Sequence, residues 1–349
     1  MFFASDNAGP AHPKVMEALA RANIGHAMPY GVDPIMDDVR AMIRAQFESP
    51  DAAVYLVATG TAANSIALGT LAQPWETVFC SPEAHIHEDE CNAPEFYMGG
   101  AKLTLVPAVG AKMTPETLRK SIAFEEGRGV HGPQRGPVSI TQVTERGTIY
   151  SLDELKAMTD VAKEFGLATH LDGARFANAI VTLGCTPAEM TWKAGIDVVS
   201  FGGTKNGLMG AEAVIFFDPK HAWEFELRRK RGAHLFSKHR FLSAQMEAYL
   251  TDGLWLETAG MANANCARLA KGLTDSNYAQ MMYEPQANMI FAEWPREGHQ
   301  RLHDAGAVYY IWAGELKGDD PAEPLQARLV CDWSIGSEAV DRFLDVLLG

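Results

Sequence analysis

Short apolar and β-branched runs recur along the first two thirds of the chain, at residues 53–57, 77–80, 102–106, 137–141, 167–171, 197–201 and 213–217. Stretches with helical periodicity separate them. Seven such runs, too continuous to be half-solvated strands, predict an α/β fold with a mostly parallel seven-stranded sheet covered by helices on both faces. The helix starts are marked as well. Ser151 with Glu154 and Thr186 with Glu189 fit capping boxes, and Pro115 and Pro187 each take a first helical position behind a threonine. Beyond Pro219 the pattern turns helical over 222–230, 236–250 and 254–273. Strands at 289–292, 308–312 and 328–332 and a helix at 337–348 then predict a second, smaller α+β unit. The expected division is a large α/β domain over 1–250, and a linker helix with the small domain over 251–349.

Composition narrows the range of functions. A chain of 349 residues, 47% hydrophobic, has enough material for a packed core. Its net charge of -14 offers no basic surface for phosphate backbones, so nucleic acid is not an expected partner. The five cysteines have no Cys-x-x-Cys spacing, which suits reduced thiols. Ser5 and Asp6 arrive too early for the apolar core of an export signal, and no apolar stretch is long enough for a bilayer. The expectation is a cytoplasmic protein without membrane contact, acting on a small molecule.

The chemistry concentrates at strand ends. Lys205 follows the run at 197–201 through Gly202, Gly203 and Thr204, and Asp172 closes the run at 167–171. In parallel α/β sheets this edge carries ligands. A lysine there is a candidate Schiff-base amine, and an aspartate on a neighbouring strand is what pyridoxal phosphate requires to keep its pyridine nitrogen protonated. Thr59-Gly60-Thr61 lies between a strand and an apolar helix, where helix N–H groups, a hydroxyl and a glycine-lined approach suit a phosphate. Alone, that segment reads more readily as an ordinary strand-to-helix turn. His85 and His87 lie among Glu88, Asp89, Glu90 and Cys91, but an i, i+2 pair diverges in strand or helix, so no metal site is expected.

Taken together, Ser5-Asp6, Tyr30-Gly31-Val32-Asp33, Thr59-Gly60-Thr61, Ala84-His85, His170-Leu171-Asp172-Gly173-Ala174-Arg175 and Lys205 resemble the low-specificity L-threonine aldolases and phenylserine aldolases. These are pyridoxal-phosphate enzymes of the aspartate-aminotransferase fold type I, similar to β-eliminating lyases. The resemblance runs from about residue 3 to the C-terminus and is densest between Asp172 and Asn206. It implies retro-aldol cleavage of threonine, allo-threonine or phenylserine to glycine and an aldehyde. It further implies that Lys205 holds the cofactor, Asp172 bonds its ring nitrogen, and His85 stacks on the ring. Gly60, Thr61 and Thr204 would hold the phosphate. Arg175 would reach the cofactor's phenolic oxygen or the substrate carboxylate, and Ser5 and Arg328 would bind that carboxylate. Tyr30 would reach a neighbouring subunit's site, which implies at least a dimer and an expected homotetramer.

Two positions depart from the family's pattern. Where many relatives have Thr-His-Asn-Gly, this chain has Thr144-Glu145-Arg146-Gly147, so Glu145 joins His85, His87 and a water as the candidate base. The family's basic phosphate ligand falls at Lys238 or Arg240, of which Lys238 is the expectation. Rival readings are a β-elimination lyase or aminotransferase on the same fold, and a non-catalytic protein that retains it. A nicotinamide enzyme is disfavoured, because no Gly-x-Gly-x-x-Gly follows the first strand.

Overall fold

The computed structural model describes residues 1–349 apart from the side chain of Glu126. In chain order its strands are β1 (Ala53–Val57), β2 (Glu76–Cys80), β3 (Lys102–Leu105), the two-residue pair β4 (Ala108–Val109) and β5 (Lys112–Met113), β6 (Gln134–Thr141), β7 (Thr169–Gly173), β8 (Val198–Gly202), β9 (Glu212–Phe216), β10 (Gln280–Met281), β11 (Met289–Pro295), β12 (Tyr310–Ala313) and β13 (Pro324–Val330). Seven of them form one sheet in the order β1-β9-β8-β7-β6-β2-β3. Only β9 runs antiparallel to its neighbours; the β8-β7-β6-β2-β3 ladder is parallel. Strands β1, β7, β8 and β9 are buried at every position, the signature of a sheet covered on both faces.

The helices start where the side chains direct them. The capping boxes at Ser151 with Glu154 and Thr186 with Glu189 both form. Each satisfies two backbone N–H groups that no preceding turn could serve. The helix Gly60–Leu71 behind β1 is apolar almost all round and buried along most of its length, because it lies between the sheet and the segment Ala93–Tyr97.

The C-terminal strands form an antiparallel sheet in the order β10-β11-β13-β12, packed against the helices Leu254–Asp275 and Ser337–Leu348. Its core includes Trp294, Leu302, Leu329 and Phe343, and also Phe3 from the other end of the chain. Phe3 donates its N–H to Val308 at 2.8 Å and accepts from Val330 at 2.8 Å. Because Val308 is committed to this N-terminal segment, β12 begins at Tyr310, two residues later than the apolar run predicts. Likewise the helix expected from 236 begins at Arg240, since Ser237 instead accepts a hydrogen bond from the Tyr30 N–H at 3.2 Å.

Two glycines let the site-bearing strands close up. A Cβ on Gly173 would lie 2.6 Å from the Ser200 carbonyl, and one on Gly202 would lie 2.6 Å from the Ala174 carbonyl. The ends of β7 and β8, which deliver Asp172 and Lys205, therefore approach more closely than any side chain permits.

Candidate active site

Asp172 and Lys205 line one cavity of about 340 Å³ together with Gly60, Thr61, Asn64, His85, Glu90, Thr204 and Glu212. It opens at the C-terminal ends of β7 and β8. Asp172 is 2% exposed, and its two carboxylate oxygens accept from Asn64 Nδ2 at 2.8 Å and the Ala174 N–H at 3.0 Å. The cavity floor thus presents a fixed acceptor.

Lys205 follows β8 on a single helical turn, Thr204–Asn206. Glu212 of β9 pins that turn by accepting the Gly203 N–H at 2.7 Å, and it also faces the Thr204 hydroxyl. Lys205 itself makes no hydrogen bond or ion pair among the described residues. Burial pushes its amine below the usual lysine range, and Arg175 adds to that; Asp6, Asp172 and Glu212 oppose it. A half-desolvated amine with a lowered pKa is the state in which a lysine attacks a carbonyl carbon.

The phosphate candidates also line the cavity. Thr59 caps the helix Gly60–Leu71 by accepting from the Ala62 N–H at 3.2 Å. A Cβ on Gly60 would meet nothing within 4 Å, so the backbone there faces open space at a helix N-terminus. An unpartnered amine, a fixed carboxylate and an open N–H cradle in one cavity are the donor set that pyridoxal phosphate needs, and its chemistry fits these residues.

His85 begins the turn His85–Glu88, and its Nδ1 lies 2.8 Å from Glu90 Oε1. Glu90 is missing from the sequence-based site, although its side chain is fully buried. The amide of Asn64 bonds both Glu90 at 2.9 Å and Asp172 at 2.8 Å, so His85, Glu90, Asn64 and Asp172 form one chain of contacts. Hydrogen bonding to Glu90 raises the His85 pKa, and burial raises that of Glu90. Both directions fit one proton held between them. No periodicity announces Glu90 or Asn64; burial of a polar side chain beside the lysine is the only signal, and it is visible only in the fold. His87 points elsewhere, with Nδ1 2.9 Å from the Pro82 carbonyl. His170, despite its place in the aspartate motif, is buried between Ser139 and Ser200, and burial lowers its pKa to about 4.

A second opening of about 370 Å³ shares Asn7, His85 and Lys205 with the first and adds Ser5, Glu145, Arg146, Arg175, Tyr310, Trp312 and Arg328. Glu145 Oε1 accepts the His85 N–H at 2.8 Å, while Oε2 is buried with no partner. Burial, aided by the Asp172 charge, pushes this carboxyl up to about 7. Arg175 grips Asp6 through Nε at 2.7 Å and Nη2 at 2.9 Å, and Asn288 adds a third bond to Asp6 at 3.0 Å. Among the described residues, Nη1 of Arg175 has no hydrogen-bond partner. Arg328 lies where β13 pairs with β11 and β12, and its pKa falls to about 10 through burial. Ser5 Oγ accepts from the Asn7 N–H at 3.1 Å.

Two expected residues stand apart. Tyr30 and Lys238 line neither opening; both are exposed, and the Tyr30 backbone bonds to Ser237 next to Lys238. Arg240, the other basic candidate, reaches the Gly25 carbonyl at 3.0 Å.

The chain is similar to known proteins over nearly its whole length. Two low specificity L-threonine aldolases, from a Pseudomonas species and from Pseudomonas aeruginosa, are 43% and 42% identical to the chain. The alignments cover 95% and 97% of this chain and 92% and 94% of theirs. A solved structure of Leishmania major threonine aldolase superposes with a TM-score of 0.92 at 27% identity, covering 99% of this chain and 98% of that one. The profile of the beta-eliminating lyases matches residues 3–294. With a site built from the ends of its parallel strands and relatives alike over nearly their whole length, the chain belongs to the beta-eliminating lyase family, alongside the low specificity L-threonine aldolases.

Proposed function

We propose that this protein is a pyridoxal-phosphate-dependent aldolase that cleaves L-threonine and related β-hydroxy-α-amino acids, allo-threonine and phenylserine among them, to glycine and an aldehyde. The observation that carries the reading is the partnerless Lys205 amine sharing a cavity with the anchored Asp172 carboxylate. Pyridoxal phosphate, when bound, supplies a sink for the electron pair released as the substrate's Cα–Cβ bond breaks.

The chain's own residues divide the remaining work. Lys205 Nζ would be the amine that holds the cofactor, and Asp172 would supply the carboxylate partner for its pyridine nitrogen. Gly60, Thr61 and Thr204 would hold its phosphate, and His85 would pack beside its ring. Ser5 and Arg328 orient the substrate carboxylate, with Arg175 Nη1 beside them, and so select which Cα bond stands ready to break. Glu145 Oε2 takes the β-hydroxyl proton; its raised pKa matches a base working near neutrality. Tyr30 and Lys238, neighbours on the surface, complete the site of an adjacent copy in a cytoplasmic homotetramer.

The test is a visible absorbance band that borohydride abolishes and that Lys205→Ala lacks, together with equimolar glycine and acetaldehyde from L-threonine. A purified protein that stays colourless after reconstitution overturns the cofactor assignment. 2-Oxobutyrate and ammonia in place of glycine and acetaldehyde would make it an elimination enzyme. Tyr30→Ala should weaken assembly and activity together, read by light scattering and assay.

A further inference from the structure

Arg146 is the residue at the site that the proposed chemistry leaves without a task. Its guanidinium carbon lies 5.0 Å from the centre of the Trp312 ring and 5.5 Å from that of Phe291, two rings that meet edge to face. Among the described residues it makes no hydrogen bond and no ion pair, and its Nε is buried with no partner. Stacked contacts engage the guanidinium through its π faces and leave its N–H rim unused. A partly buried arginine normally spends that rim on a carboxylate, as Arg175 does on Asp6. Four carboxylates line the same opening, Glu83, Glu88, Asp89 and Glu145, and none pairs with Arg146. Two of them are otherwise engaged: Glu83 accepts from Ser81 at 2.8 Å and Glu145 from the His85 N–H.

Arg328 is in a similar position. It reaches only the Ala4 carbonyl at 3.4 Å and the Met289 sulfur at 3.9 Å, with no carboxylate partner. Arg328 and Phe291 are direct partners across the β11-β13 ladder, and Arg146 lies over that same Phe291. The opening therefore presents two guanidinium groups without anions along one row of the small sheet, near Lys205. A monocarboxylate such as threonine can satisfy one of them.

We infer that Arg146 forms a side-chain subsite for a second carboxylate, so that the enzyme accepts β-hydroxy-α-amino dicarboxylates, of which 3-hydroxyaspartate is the shortest. The inference rests on the aldolase reading above. The reaction balances without any oxidant: the Cα–Cβ bond breaks and its electron pair stays with Cα. The β-hydroxyl proton leaves as that carbon becomes the aldehyde, and Cα gains a proton. The products are glycine and glyoxylate.

The test compares kcat/KM for L-3-hydroxyaspartate, followed as glyoxylate, with kcat/KM for L-threonine, followed as acetaldehyde, in the native holoenzyme, Arg146→Met and Arg146→Lys. A charge-assisted bond lost in the Met variant should lower the dicarboxylate-to-threonine ratio by about tenfold or more, and Lys should restore part of it. Succinate should also compete with threonine in the native enzyme, and more weakly in Arg146→Met. A native enzyme that cleaves threonine but releases no glyoxylate sinks the inference while leaving the aldolase reading intact. So does an equal loss on both substrates. Failure on both substrates by the native enzyme would instead overturn the aldolase reading itself.

Discussion

At the scale of single residues, the base role proposed for Glu145 carries a definite pH dependence of activity. Its carboxyl is raised from the ordinary 4.5 to about 7, so the free enzyme carries the ionised base only above neutrality. The kcat/KM for threonine should therefore rise through an acid limb centred near pH 7. Glu145→Gln should erase that limb and cost about 10²–10⁴ in rate. A limb that persists in the variant would move the base elsewhere. The same shift acts on folding with a definite sign. An acid whose folded pKa is raised stabilises the fold fully below its ordinary value and loses that contribution as pH climbs through about 7. Glu145→Gln should then gain thermal stability on the native protein from pH 5 to pH 8 in the cofactor-free form. Lys205, Asp172 and Glu145 are legible in sequence because each sits at a fixed offset from a strand or a family motif. Glu90 and Asn64 are not legible, because their importance comes from the contact they make across the fold, 26 residues apart.

At the scale of elements, strand and helix positions follow from period and capping, and the departures trace to long-range partners. The seven large-sheet strands lie within a few residues of their apolar runs, since burial on both faces leaves a continuous hydrophobic signal. The late starts of β12 and of the helix Arg240–Leu250 reflect hydrogen bonds to Phe3 and Tyr30, which no local pattern encodes. The glycines that end β7 and β8 serve the fold as spacers between two strands. Gly202→Ala would press a methyl group to 2.6 Å from a carbonyl oxygen, so it should lower stability by about 1–3 kcal/mol in urea titration. The β7 and β8 ends should part, and cofactor absorbance at fixed pyridoxal phosphate should fall with them. Unchanged urea midpoint and absorbance would show that the strands tolerate the added atom.

At the scale of the whole molecule, the N-terminal segment binds the two sheets to one another through the site. Phe3 is fully buried in the C-terminal core, and three residues later Asp6 clamps Arg175 behind β7. Phe3→Ala should cost about 3–5 kcal/mol in unfolding. It should also raise KM for threonine, because the segment that it anchors carries Ser5. A loss of stability with KM unaltered would separate the two ends of that strap. The fold class could be read from the pattern of runs, but this strap could not, because Met1-Phe2-Phe3 looks like any apolar start. Its position has a consequence for biosynthesis. Phe3 leaves the ribosome about three hundred residues ahead of Val308 and Val330 and must wait for them to emerge, roughly half a minute at ordinary elongation rates. Until then the large sheet can form, but Asp6 meets Arg175 without the anchor that Phe3 provides. The cavity that holds Asp172 and Lys205, lined mostly by residues between 58 and 212, can close while synthesis continues, whereas the second opening, which needs Ser5 and Arg328 together, should form only in a later step.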